Sequence, residues 1–294
     1  MTKNSRISGH VMAFITAAIW GCTFASSKIL LLNFSPIEII FFRFALAYIF
    51  LWLIKPTRLR LGGIRKELGF IVAGITGVTL YFICENVALT YTNASNVGVI
   101  VSIAPIFTAL LAAIFRKNER PGLGFFMGFL VAIIGIALIS FNGTFVLNLS
   151  PIGDLLTIAA AFSWAIYSIV VANVGRGLDT ILCTRRVFFW GLVSMVPVLF
   201  FFDFSFELKR FLVLENILNM AFLGIIASAL CYILWNRAIN TLGAVKTNAY
   251  IYLTPAVSIV ASAILLNEKI TWMAIAGAVL TLLGLWFSQQ FSKG

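Results

Sequence analysis

Ten stretches of mostly apolar residues follow one another along the chain, at 8–31, 36–54, 68–89, 95–115, 122–141, 152–173, 180–202, 216–238, 244–266 and 270–289. A helix needs about 20 such residues to cross a bilayer core, and each stretch is close to that length. Pro, Gly, Asn and charged residues fall in the gaps. Pro36, Pro56, Pro121 and Pro151 stand at helix starts or in linkers, where a missing N–H breaks no helix bond. Most gaps are short, so consecutive helices are predicted to be antiparallel neighbours. Trp52, Trp272 and Trp286 lie towards segment ends, as an interfacial belt requires.

The pattern is written twice. The stretch from Glu85 to Glu119 returns, in outline, from Asn236 to Glu268. Asn86 and Asn236, Ala88 and Ala238, Leu89 and Ile239, Ala94 and Ala244, and Pro105 and Pro255 are each 150 positions apart. Glu119 and Glu268, Gly128 and Gly277, and Gly135 and Gly284 are 149 apart. AAIWG at 17–21 resembles AAFSWA at 160–165, which sets Trp20 against Trp164, and Arg43 falls near Arg185 and Arg186. A repeat of this length decides the architecture before any motif does. The predicted units are 1–145 and 146–294, five spans each. Five is odd, so the second unit starts on the opposite side and is inverted. The expected fold is an all-α membrane protein of ten transmembrane helices in two inverted five-helix repeats. Alternating-access transporters commonly use that design, with substrate near the midplane between repeats.

Composition agrees. The 294 residues are 61% hydrophobic with mean hydropathy +1.04, and only 11% are charged; soluble domains carry about 25%. The net charge of +11 reads as positive cytoplasmic loops rather than a nucleic-acid surface. With the N-terminus inside, sixteen of the 21 lysines and arginines fall on the inner side; only Lys28, Lys209, Arg210 and Lys269 fall outside, and Arg43 lies within a span. Both termini are therefore expected in the cytoplasm of an inner-membrane protein. The first segment is too long, and lacks a clear cleavage site, for a removed signal peptide. Cys22, Cys84, Cys183 and Cys231 all lie in apolar segments and read as packing residues. One histidine, His10, cannot make a metal site, and no cofactor is implied. There is no GxxxxGK[ST] loop, so ATP is not the expected driver.

Taken together, WG in the first span, an intramembrane Arg in the second, NVALTYTNAS before the fourth, AP within it and Glu119 at its exit resemble the EamA branch of the drug/metabolite transporter superfamily. The order and spacing carry the resemblance, which covers nearly the whole chain. The second half reads NRAINTLGA in place of NVALTYTNA, a departure of detail. The resemblance implies export or exchange of small organic metabolites, often amino acids, without ATP hydrolysis.

Several residues could carry that function. Glu85 lies about one turn from the outer end of span three. A charge deep in a bilayer costs about 2.5–3.5 kcal/mol on insertion scales, so it tends to face a cavity. It could meet a substrate ammonium or carry a proton, or pair with a nearby Arg. Its counterpart is Trp235. Arg43 could grip a carboxylate or phosphate, or form a structural pair with Glu38 or a loop carbonyl. Trp20, Phe24, Trp164 and Tyr167 sit mid-span in helices one and six, and could wall a midplane cavity with Tyr81, Tyr232 and Trp235; aromatic packing explains them equally. Asn86 and Asn236 could bind substrate or clamp helices. Pro105 and Pro255 could be pivots or static kinks. Glu119 and Glu268 read as helix N-terminal acids. Gly124 and Gly128 form GxxxG, which permits contact within the chain or between subunits; the internal contact, and a monomer, are favoured. The basic run Lys55–Lys66 sets topology and touches lipid headgroups.

The expected protein is thus a permease for amino acids or related amphipathic solutes. A multidrug or amphipathic-cation exporter is the alternative, and a receptor or assembly subunit a further one. An intramembrane enzyme is disfavoured, because no span holds an interior Asp and the single His lies at an edge.

Overall fold

The computed structural model describes residues 3–59, 63–91, 97, 100–115, 121–141, 150–201, 204–266 and 270–290. Among the described residues all regular structure is helical. Seven helices are long and apolar enough to cross a membrane, and Ala104–Phe115 is a shorter apolar one. Their outer faces carry exposed Ile49, Leu130, Val193 and Leu282. Such faces suit lipid rather than water.

Helix α1 (Lys3–Leu30) is followed by α2 (Pro36–Ile54). The start of α2 is fixed locally. Ser35 Oγ accepts from Glu38 N, Glu38 Oε2 accepts from Ser35 N at 2.7 Å, and Pro36 occupies the first turn. The third span is α3 (Ile64–Gly74), a π turn at Ile75–Leu80, and α4 (Tyr81–Tyr91). Then come α5 (Ala104–Phe115), α6 (Leu123–Phe141), α7 (Pro151–Val174) and α8 (Thr180–Leu199). A later span has the same build as the third: α9 (Leu214–Ala221), a π turn at Phe222–Leu230, and α10 (Cys231–Leu242). The segment after it is broken into α11 (Ala244–Asn248), a 3-10 turn at Ala249–Tyr252, and α12 (Leu253–Leu266). Helix α13 (Trp272–Gln290) ends the described chain.

Pro105 is the second residue of α5 and Pro255 the third of α12. Both stand in the first turn of a helix, where the missing N–H costs no bond, rather than in the middle of one. The irregular backbone lies just before them.

Contacts come in matched pairs. Helix α1 packs on α10 and α12, and α7 packs on α4 and α5. The second π turn lies along α2 and the first along α8. Helices α2 and α8 pack on each other, as do α6 and α13. In the last pair a Cβ on Gly128 would meet Gly284 O at 2.5 Å, and one on Gly277 would meet Gly135 O at 2.4 Å. These glycines let two backbones touch within the chain.

Polar ties join the ends of α2 and α8. At one end Lys55 Nζ lies 2.6 Å from the Asp179 carboxylate, which also accepts from Ile181 N and Leu182 N and so caps α8. Arg185 donates to Lys55 O and Thr57 O and lies 3.8 Å from the Trp52 ring. At the other end Arg210 grips Glu38 with two bonds of 2.9 and 3.0 Å. The pair of Glu38 with Arg43, one of the alternatives for Arg43, does not form. Five residues apart on one helix, their side chains diverge, and Arg210 reaches Glu38 from the segment after α8.

Candidate functional site

Between these helices lies a partly open cavity of about 370 Å³, within the range of small-molecule sites. Its floor is aromatic. The Trp20 and Trp164 rings meet edge-on at 5.3 Å, Tyr232 lies 5.9 Å from each, and Tyr81 lies 5.1 Å from Trp164. Each floor ring is held by a hydrogen bond. Trp20 Nε1 donates to Ala227 O and Tyr232 OH to Gly77 O, both at 2.8 Å. Those two carbonyls are 150 positions apart, one in each π turn. A π turn breaks the regular i→i−4 ladder and frees backbone oxygens for such use. Trp164 Nε1 donates to Asn248 Oδ1 at 2.9 Å.

Two opposite charges line the same cavity. Arg43 is buried; its Nε donates to Ser228 Oγ at 2.5 Å, and its guanidinium lies 4.6 Å from the Phe82 ring. Glu85 is buried and accepts a 3.3 Å bond from Tyr81 OH. Asn86 faces the cavity while its Nδ2 donates to Phe82 O. Ser27 and Lys28 of α1, Leu31 just after it and Ile39 of α2 form the rim, where α1 ends and α2 begins. Lys28 is exposed there.

The far end is shut. Tyr167 OH donates to Asn236 Oδ1 at 2.7 Å, and Asn236 Nδ2 to Thr184 Oγ1 at 3.1 Å. Ser168 Oγ reaches Asn248 Oδ1 at 3.4 Å. His10 Nδ1 and Tyr250 OH are 2.8 Å apart. These bonds tie α1, α7, α8, α10 and the broken segment 244–252 together beneath the floor.

Of the residues singled out in the sequence, Trp20, Arg43, Tyr81, Glu85, Asn86, Trp164 and Tyr232 meet in one cavity. Tyr167, Trp235 and Asn236 lie beneath it, fully or almost fully buried. Glu38 is at the rim-side end with Arg210, and the Phe24 side chain, Glu119 and Glu268 fall outside the described residues. Ala104 and Thr254 also line the cavity. Each immediately precedes one of the paired prolines, a signal that could have found them. Ser228 and Asn248 carried no such signal. Among the described residues no group of His, Cys, Asp or Glu converges to hold a metal ion.

Apolar helices around an aromatic, charge-bearing cavity define a multi-pass membrane protein with a cavity between its helices. The chain belongs to the EamA-like transporter family, whose model matches residues 7–141 and again 151–289. It is therefore a transporter, not an enzyme, and its substrates are small molecules. It is 26% identical over 284 residues to an uncharacterized transporter of Archaeoglobus fulgidus, covering 95% of this chain and 96% of that one. It is 26% identical over 291 residues to a probable amino-acid metabolite efflux pump of Escherichia coli, covering 95% and 93%. A protein of known crystal structure superimposes with a TM-score of 0.78 at 17% identity, covering 96% of this chain and 98% of its own, which shows a shared fold.

Proposed function

We propose that the protein exports amino acids or closely related zwitterionic metabolites across the inner membrane by alternating access, as a monomer and without ATP. The observation that carries this is one aromatic cavity holding both Glu85 and Arg43. A zwitterion presents an ammonium to the first and a carboxylate to the second, and its side chain to the rings. The name of the Escherichia coli relative supports the substrate class and the direction. A purely cationic drug would leave Arg43 unmatched, which disfavours the multidrug reading.

The mechanism rests on two inverted repeats of five spans, 1–145 and 146–294, with both termini in the cytoplasm. Three observations support it. The two family-model matches divide the chain near that boundary. The two π turns end 150 positions apart, at Leu80 and Leu230. The α6–α13 contact is reciprocal: Gly128 meets Gly284, and their counterparts Gly277 and Gly135 meet each other. A two-fold axis between repeats requires such isologous pairing. In this orientation the cavity opens outward and the tie of Tyr167, Asn236 and Thr184 closes the inside. The breaks before Pro105 and Pro255 serve as paired pivots.

Uptake of the twenty L-amino acids, nucleosides and amphipathic cations into reconstituted liposomes, with and without a pH gradient, tests this. If Glu85 carries a coupling proton, Glu85→Gln abolishes gradient-driven flux and leaves counterflow. If it binds the ammonium, the same change weakens binding at every pH. Flux and affinity both unchanged exclude Glu85 from the site.

A further inference from the structure

Two polar groups beneath the cavity floor have no hydrogen-bond partner among the described residues: Trp235 Nε1 and Thr16 Oγ1. Both residues are 0% exposed. An unsatisfied buried polar group costs about 1–3 kcal/mol, and each one calls for something to fill it.

The helix register sets them on the facing surfaces of α1 and α10. Gly9, Thr16 and Trp20 are seven and four residues apart and share one face of α1. That face looks at α10: a Cβ on Gly9 would meet Leu242 at 2.9 Å, and the Trp20 ring lies 4.8 Å from that of Trp235. Thr16 sits between these two contacts. Trp235 is one turn beyond Tyr232, and Thr16 one turn before Trp20, in both cases away from the rim. Trp20 itself separates them from the cavity.

We propose that Trp235 Nε1 and Thr16 Oγ1 form a second, deeper station on the transport path, which takes the carboxylate of the solute after it leaves Arg43. The indole N–H only donates, so it selects an acceptor oxygen, and the threonine hydroxyl can donate the second bond. The station is filled when the aromatic floor parts and the inner end opens. This inference rests on the alternating-access reading above.

The test uses the full chain in orientation-sorted proteoliposomes, with the twenty L-amino acids as probes. Half-saturation is measured separately from the outer and inner faces for the wild type, Trp235→Phe and Thr16→Val. Thr16→Val keeps the shape and deletes only the hydroxyl, whereas Trp235→Phe deletes the indole N–H together with part of the ring and leaves a void at a fully buried position. The expected result is an inner-face half-saturation raised about tenfold, the loss of one charge-assisted bond, with the outer-face value within about twofold of the wild type. The melting temperature of Thr16→Val in the absence of solute should not fall, whereas that of Trp235→Phe falls through the void it leaves. Unchanged values on both faces, or an equal rise on both, overturn the station. A lower melting temperature of Thr16→Val without solute also overturns it, since a resident water would then be satisfying the hydroxyl. A wild-type protein that moves none of the probes refutes the transporter reading instead.

Discussion

In the proposed alternating-access cycle, the hydrogen bond from Tyr167 to Asn236 sets the balance between the two ends of the path. Tyr167→Phe removes one hydroxyl and leaves the rings in place. Asn236 Oδ1, almost fully buried, then loses its 2.7 Å donor. A buried acceptor left unmatched costs about 1–3 kcal/mol. That cost falls on the inside-closed state, because water reaches Asn236 once the inner end opens. At 1.4 kcal/mol per factor of ten, the inside-open population rises about 5- to 150-fold. Ser168, fully buried beside Asn248, is a suitable reporter position. In a background lacking the four native cysteines, Ser168→Cys should be alkylated by N-ethylmaleimide faster by that factor when Tyr167→Phe is present. The external half-saturation should rise in parallel. An alkylation rate within about twofold of the parent refutes the reasoning, since it leaves less than about 0.5 kcal/mol for the bond.

Two further outcomes follow from the packing and the caps. Gly128→Ala drives a methyl into Gly284 O and Ser288 N, so α6 and α13 must separate, at about 1–3 kcal/mol; Gly277→Ala should lower thermal stability in detergent by a similar amount, since it meets Gly135 O in the same way. For Asp179, burial pushes the carboxyl up, but the Lys55 ammonium and the backbone N–H groups of Leu182 and Ile181 more than offset it and hold it below the usual carboxylate range. A depressed value stabilises the fold above the unfolded pKa of about 4, and that contribution is lost as pH falls through the folded value. Melting temperature measured down the acid range should therefore fall more for the wild type than for Asp179→Asn.

Much of this architecture was legible in the sequence because a bilayer forces it. Spans announce themselves by length and apolarity, and the likeness of AAIWG to AAFSWA sets Trp20 against Trp164, whose rings do meet. Most of the aromatic floor was readable for the same reason: Tyr81, Trp164 and Tyr232 sit near segment centres. What the sequence hid was backbone irregularity. Nothing in ITGVTL or FLGIIASAL marks a π turn, because those residues suit an α-helix equally well; what the fold shows there is close approach, since a Cβ on Gly77 would meet the Tyr167 ring and one on Gly224 would meet Leu46 at 2.8 Å. The free carbonyls that hold Trp20 and Tyr232 were hidden with it. Depth was hidden too. Tyr167, Trp235 and Asn236 differ from the cavity residues by a single turn, which periodicity does not resolve. The partner of Glu38 lies 172 positions away, beyond the reach of any local pattern.

The central claim is that one cavity binds a zwitterion at both charged ends and passes it across the bilayer. Counterflow of each L-amino acid in ATP-free proteoliposomes, run side by side for the wild type and Arg43→Met, tests it most directly. The account predicts saturable counterflow of at least one amino acid, lost or strongly weakened in Arg43→Met while the protein stays folded. Wild-type protein that is folded yet moves no amino acid, or counterflow indifferent to Arg43, would contradict it.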